Sequence, residues 1–175
     1  IMNKDYTKGI LLKGYKSVDF KKLKLVEQSQ FNGSKNLDTN LISIGKELSS
    51  ILNVNIGDKI TVMSTSSVDT IIGSLPIQDT FTIISIFDSG IIEFDQNVAF
   101  INLYDLENIF NQEKDDRYIE IFLKDPIQIQ KIKNTIKDVF KNSFIYTWED
   151  LNKSLFSALK VERNVMFIIL TLILI

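Results

Sequence analysis

Residues that could do chemistry fall into two small groups. The acidic stretch at residues 113–116 could hold a hard cation, but no calcium-loop spacing surrounds it. Gly45-Lys46 resembles the end of a phosphate-binding loop, yet that motif needs Gly where Asn40 stands and Ser or Thr where Glu47 stands. The chain has no His and no Cys, which excludes zinc sites with those ligands and Ser-His or Cys-His catalysis. We therefore expect no catalytic residue, no metal site, no cofactor and no enzyme.

Charge is distributed unevenly along the chain. Residues 1–60 carry ten Lys against six acids, a net charge of +4, whereas residues 61–120 carry eleven acids against two basic residues, a net charge of −9. Residues 121–175 carry eight basic and five acidic residues, a net charge of +3. No Lys/Arg cluster is interleaved with aromatic residues, so we do not expect a nucleic-acid partner.

The stretch at residues 64–80 indicates recognition of another protein. It is polar with an apolar centre, and it is long for a loop between strands, where such loops often carry function. We expect apolar side chains near its tip to dock on a partner. The alternative is a hairpin that folds back and buries its own apolar residues. The candidate docking residues are Thr70, Ile71, Ile72, Gly73, Ser74, Leu75 and Pro76.

The last eleven residues, 165–175, are apolar except for Thr171. As a helix they would rise about 16 Å, which is short of the roughly 30 Å, or roughly 20 helical residues, that a bilayer core needs. Either this run is a buried helix or strand of a core, or it is the start of a transmembrane helix. A buried helix usually keeps a polar face, which this run lacks, so the sequence favours the transmembrane alternative.

The segment before this run is predicted to be a helical stalk at residues 149–164. Thr147 can cap the helix, with Asp150 completing a capping box. We expect the helix to continue unbroken from about Glu149 into the apolar run, because neither Gly nor Pro interrupts it. The alternative is a surface helix of the preceding domain. The candidate stalk residues, which form a heptad-like stripe followed by an acid at the headgroup level, are Leu151, Leu155, Ala158 and Glu162.

The rest of the chain predicts an α+β fold. Strands are expected at residues 9–15, 41–44, 60–63 and 81–87, with further strand material before residue 102. Two short helices are expected. The first has Leu48, Ile51 and Leu52 on its buried side, and the second has Leu103, Leu106 and Phe110 on one side. A turn at Gly57-Asp58 should lead into the strand at 60–63.

Strand, helix and strand are then predicted at residues 117–123, at 125–140 and at 144–148. Asp125 caps the helix, Pro126 takes its first position, and Ile129, Ile132, Ile136 and Phe140 form its apolar face. This order indicates a βαβ subdomain.

Several stretches in order resemble the permease subunits of the lipoprotein-releasing ABC transporter, LolC and LolE, which are related to MacB and FtsX permeases. The stretches are ISIGKELSSILNVNIGDKITVMS, FTIISIFDSGIIEFDQNVAFINLYDLENIF, IEIFLKDP and TWEDLNKSLFSALKVERNVMFIIL. TIIGSLPIQDTF resembles the hook with which LolC-type subunits recruit the chaperone LolA, with Gly73, Pro76 and Phe81 at matching positions. The flanking STSSVD departs from the family in composition.

The resemblance implies a periplasmic domain of a bacterial inner-membrane protein. It implies a β-rich Sabre-like subdomain at 37–112 with the hook at 64–80, and a Porter-like subdomain at 1–36 and 113–148 whose first part is missing. The stalk at 149–164 and a transmembrane helix starting at 165–175 would follow. The implied partners are a LolD-like ATPase subunit that hydrolyses ATP, a second permease subunit or copy, a LolA-type chaperone, the lipoprotein substrate and the membrane.

Other functions remain open from the sequence alone. A LolE-like or fused-type subunit would look similar to a LolC-like one. A MacB-like efflux permease or an FtsX-like domain that activates a cell-wall hydrolase are the alternatives outside lipoprotein release.

Overall fold

The computed structural model describes residues 1–3, 6–27, 30–70, 73–111, 117–123, 125, 128–141 and 143–174. The chain divides into two compact units, Ile1–Tyr118 and Ile119–Ile175. The fold is mixed α/β: the first unit contains a curled sheet with short helices, and the described part of the second unit is helical.

One mixed sheet forms the centre of the first unit. Its strands are β1 Met2–Asn3, β2 Tyr6–Thr7, β3 Leu11–Tyr15, β4 Phe31–Gly33, β5 Leu41–Gly45, β6 Lys59–Thr70, β7 Gly73–Phe87 and β8 Val98–Asn102. Their order across the sheet is β2-β1-β6-β7-β5-β8-β3, and β4 pairs with β7 outside this path. The helices of this unit are α1 Ser17–Phe20, α2 Lys24–Glu27, α3 Lys46–Leu52, α4 Ile92–Asn97 and α5 Leu103–Phe110. Most neighbours in the sheet are antiparallel, but β5 with β7 and β3 with β8 are parallel.

Two hydrophobic clusters use the two faces of the sheet. Ala99 and Ile101 of β8 belong to one cluster and Phe100 to the other, because successive side chains of a strand point to opposite faces. The first cluster packs under α3 and α5, and the second is rich in aromatic rings, with Phe87 and Phe100 5.3 Å apart between ring centroids. The sheet is therefore covered on both sides.

The helices and strands predicted for residues 41–63 are confirmed in outline. Leu48 and Leu52 are fully buried on α3, but Ile51 is 37% exposed, so the buried side is narrower than expected. Gly45 precedes α3, and an added Cβ there would overlap the carbonyl oxygen of Asp95 on α4. Gly45 thus lets the start of α3 lie against the backbone of α4 more closely than a larger residue would allow.

Several predictions for the first unit differ from the structure. The strand expected at 9–15, assigned to the other subdomain, pairs with β8 and belongs to the first unit, since its residues from Leu11 to Tyr15 are in register with Val98 to Asn102. Residues 92–97, expected as strand material, form the helix α4. Residues 64–80 are not a loop, because their described part extends β6 and β7 as a hairpin.

The second unit contains α6 Ile129–Val139, α7 Trp148–Leu151 and α8 Lys153–Leu174. The helix predicted after Asp125 is confirmed as α6, but its N-cap position is Gln128, whose side chain makes no capping hydrogen bond, rather than Asp125. Pro126 lies outside the described residues. Ile129 is buried as expected.

The strands predicted at 117–123 and 144–148 are wrong for the described residues, which are irregular up to the start of α7. A strand needs a hydrogen-bonded neighbour, and none of the described segments pairs with these two. Their apolar side chains are exposed, with Ile119 at 81% and Phe144 at 90%. The βαβ arrangement is therefore not formed by the described residues.

Candidate functional site

The predicted docking segment is the outer half of the β6–β7 hairpin. The two strands pair from Lys59 opposite Thr82 out to Thr70 opposite Gly73. Among the described residues, other strands pair with this hairpin only at its base: β1 at Thr61, and β4 and β5 from Thr82 onward. The outer half is thus a two-stranded ribbon with both outer edges unpaired by any described strand.

A bulge separates the base of the hairpin from its outer half. The register shifts between Met63 and Ser67, so that three residues of β6 stand opposite the single residue Ile77 of β7. The Ser66 amide donates to Ser64 Oγ at 2.8 Å, and Ser66 Oγ donates to the carbonyl of Phe110, at the end of α5, at 3.1 Å. A bulge bends and twists its strand, so this one sets the direction of the outer half.

The bulge is a feature of the candidate site that the sequence did not predict. Its signal is the run Ser64-Thr65-Ser66-Ser67, whose short hydroxyl side chains readily bond nearby backbone groups. The run is also polar enough to resemble a loop.

Exposure changes sharply along β7. From Phe81 inward, alternate residues are buried, whereas Gly73 to Pro76 are all exposed, with Leu75 at 51%. Gly73 has a φ of +123°, which favours glycine. Thr70 pairs with Gly73 through the strand register, and Ile71 and Ile72 lie outside the described residues. The alternative in which the hairpin buries its own apolar centre therefore does not hold for Leu75.

The base of the hairpin is held by hydrogen bonds. The Asn40 amide donates to Asp105 Oδ2 at 2.8 Å, and the Asn40 carbonyl accepts from the Thr82 amide at 3.0 Å. Burial raises the pKa of the Asp105 carboxyl, against the lowering effect of the bond from Asn40.

The turn predicted at Gly57-Asp58 is confirmed at the entry to β6. Asp58 accepts from the Asn55 amide at 2.8 Å, and Gly57 has a φ of +96°. The positive φ of Gly57 fits the sharp change of chain direction into β6.

The predicted stalk is only partly a continuous helix. The capping box of Thr147 and Asp150 is confirmed, but a break at Asn152 separates α7 from α8. From Lys153 the helix runs without interruption through residues 162–164 to Leu174. The candidate stalk residues Leu151, Leu155, Ala158 and Glu162 are all exposed. Among the described helices, none combines the length and the apolar composition that crossing a bilayer requires.

Comparison with known proteins finds several relatives with the same name. The chain is 31% identical over 151 residues to the lipoprotein-releasing system transmembrane protein LolC of Haemophilus influenzae, covering 85% of this chain and 37% of that protein. It is 36% identical over 138 residues to the protein of the same name from Buchnera aphidicola subsp. Schizaphis graminum, covering 75% and 33%. It is 28% identical over 134 residues to that of Neisseria meningitidis serogroup B, covering 75% and 32%.

No family model matches the chain. The chain spans about a third of the length of the curated relatives that it matches.

Proposed function

This chain belongs to the LolC/LolE family of lipoprotein-releasing permease subunits, and from that premise we propose that it is the periplasmic part of such a subunit. In this role it helps to release lipoproteins from the bacterial inner membrane and passes them to a LolA-type chaperone. Residues 165–175 then begin a transmembrane helix, and ATP is hydrolysed on a separate, LolD-like subunit that works with this chain and a second permease subunit or copy. A Sabre-like and a Porter-like subdomain remain the proposed layout, with strand β3 now in the first of them.

The β6–β7 hairpin is the observation that supports chaperone docking. Its outer half extends past the last strand that pairs with it and exposes Leu75. Pairing between β6 and β7 holds this half in one conformation before binding, so little ordering entropy opposes association. Pro76, which pairs with Ser67 beside the bulge, stiffens the ribbon further because its φ is fixed.

Charge supports a basic surface on the chaperone. Residues 61–120 carry a net charge of −9, and Asp79, which pairs with Val62 on the base side of the bulge, is exposed. Complementary charge mainly speeds association, and salt screens it. Binding should therefore weaken as ionic strength rises.

The test is calorimetric titration of this chain with a LolA-type chaperone. Replacing residues 71–76 by a Gly-Ser linker should abolish binding. Leu75→Ser should weaken it by about 1–3 kcal/mol, or roughly five- to 150-fold, as expected for an apolar anchor at an interface. Circular dichroism would verify that each variant keeps its fold.

A matched control is available at another exposed apolar residue. Ile92, on α4, is 64% exposed and lies outside the hairpin. Ile92→Ser should leave chaperone binding unchanged. Equal losses from Leu75→Ser and Ile92→Ser, or no loss from the linker variant, would reject docking by the hairpin.

A further inference from the structure

A groove on the second unit carries two cations that no function discussed so far uses. It has a volume of about 460 Å³ and is lined by Phe156, Leu159, Lys160 and Arg163 of α8, with Glu149 of α7 at its edge. The four α8 residues are spaced three, four and seven positions from Phe156, which places them on one helical face. The groove therefore combines an apolar floor with two positive charges, and it carries one negative charge, that of Glu149, at its edge.

The cations of this groove have no acidic partner within the part of the chain that the structure describes. The ion pairs found there involve Lys22, Lys46, Arg117 and Lys133. Glu149 instead accepts a hydrogen bond from Gln130 Nε2 at 2.6 Å, on α6. Lys160 and Arg163 are thus available to an anion from outside the chain.

The position of the two cations along α8 indicates which anion. Arg163 precedes Val165 by two residues and Lys160 precedes it by five, which is about 3 Å and about 7.5 Å along a helix axis. From Val165 on, the helix exposes apolar side chains on all sides, including Phe167 at 71% and Leu172 at 69%. Cations at this distance from an apolar surface match the order of headgroup and acyl chain in a phospholipid layer.

We propose that this groove binds the phosphate of an anionic phospholipid headgroup. Lys160 and Arg163 donate hydrogen bonds to the phosphate oxygens, and Arg163 is suited to a two-pronged contact. Phe156 and Leu159 exclude water from one side of the contact, which strengthens the attraction between unlike charges. The site stands independently of chaperone docking, because it shares no residue with the hairpin.

The experiment is vesicle flotation of the intact chain. Binding is compared between vesicles of phosphatidylcholine alone and vesicles of phosphatidylcholine mixed with phosphatidylglycerol. The double variant Lys160→Gln, Arg163→Gln should weaken binding to the mixed vesicles about thirtyfold, since each basic residue near an anionic surface contributes about a factor of five. Binding to phosphatidylcholine alone should change little.

The control is the double variant Lys141→Gln, Lys153→Gln, which removes the same charge from exposed positions of the same unit. Lys153 lies about 10 Å along the helix from Lys160, further than the Debye length of about 8 Å. The control should therefore bind nearly as the parent does. Equal losses in both variants, no loss in either, or equal binding to both kinds of vesicle would overturn the proposal.

In the last part of the experiment, inorganic phosphate is added at constant ionic strength as a competitor for the mixed vesicles. A lipid headgroup site should keep the chain on the mixed vesicles, because the apolar surface adds to lipid binding and not to binding of free phosphate. Full displacement by inorganic phosphate would assign the site to the free anion and overturn the lipid assignment.

Discussion

Two buried hydroxyl groups on neighbouring strands allow a quantitative test of how the hairpin is held at its base. Ser43 on β5 and Ser85 on β7 are both fully buried and opposite each other in register. Ser85 Oγ donates to Ser43 Oγ at 2.8 Å. Ser43→Ala leaves a buried donor without its acceptor, and Ser85→Ala leaves a buried acceptor without its donor. Each single change should lower the free energy of unfolding by about 1–3 kcal/mol.

The double variant Ser43→Ala, Ser85→Ala should be more stable than the two single effects predict. Replacing both partners by apolar groups leaves nothing unsatisfied and can be nearly neutral. We expect the loss in the double variant to be smaller than the sum of the single losses by about 1 kcal/mol or more, as for contacting residues.

The assay is urea unfolding in a non-ionic detergent that covers the exposed apolar end of α8. Far-UV circular dichroism is the readout, because the single Trp148 lies in the second unit and does not report on the sheet. Additive losses would mean that each hydroxyl is satisfied elsewhere, and the reasoning about this pair would fail.

The remaining predictions concern sterics and titration. Gly45→Ala should destabilise the first unit by at least about 1–3 kcal/mol in the same urea assay, because its Cβ would meet the backbone of Asp95, and unchanged stability would show that α4 moves aside. The hydrogen bond from Lys133, followed by those from Thr147, lowers the pKa of Asp150 to about 2. The ionised carboxylate therefore stabilises the fold fully above pH 3.8, and this stabilisation is lost as pH falls toward 2. An Asp150 carboxyl resonance that titrates by NMR near pH 3.8 would contradict this. The pKa of Asp105 is raised, so its protonation stabilises the fold as pH falls toward 3.8. Asp105→Asn should flatten that part of the plot of melting temperature against pH, and an unchanged plot would contradict this role of Asp105.

Local sequence was sufficient where an element is set by its own periodicity or turn chemistry. The helix at α3, the turn before β6 and the capping box at Thr147 are recognisable because each depends on residues within a few positions. The strand β5 is recognisable for the same reason, as an apolar run bounded by a polar turn and by Gly45.

Pairing is what local sequence does not contain. Residues 117–123 alternate as a strand should, but alternation without a neighbouring strand leaves them irregular. The reverse error occurred at Ser64 to Thr70, where polar residues resembled a loop. From Gly73 to Pro76 the ribbon is exposed on both faces, so that part needs no apolar alternation and carries no such signal.

The docking site stays a prediction, and its segment forms a hairpin where a loop was expected. The sequence located the docking segment through its apolar centre and through resemblance to a hook, and the exposure of Leu75 agrees with that location. The bulge that directs the ribbon depends on a contact between Ser66 and Phe110, which are 44 positions apart, so no local pattern could indicate it.

The parallel pairing of β3 with β8 has a consequence for how the chain acquires its structure. Leu11 pairs with Val98, 87 positions later, whereas the hairpin pairs Thr70 with Gly73, only three positions apart. Hairpins close within about 1–10 μs, but closing a long loop is entropically costly and slow. As the chain becomes free to fold from its first residues onward, β3 therefore stays unpaired until β8 is available, while the hairpin is already formed. Strand β3 is consequently unpaired for longer than β1, which pairs with β6 at Thr61, and during that interval it is open to mispairing and to proteolysis.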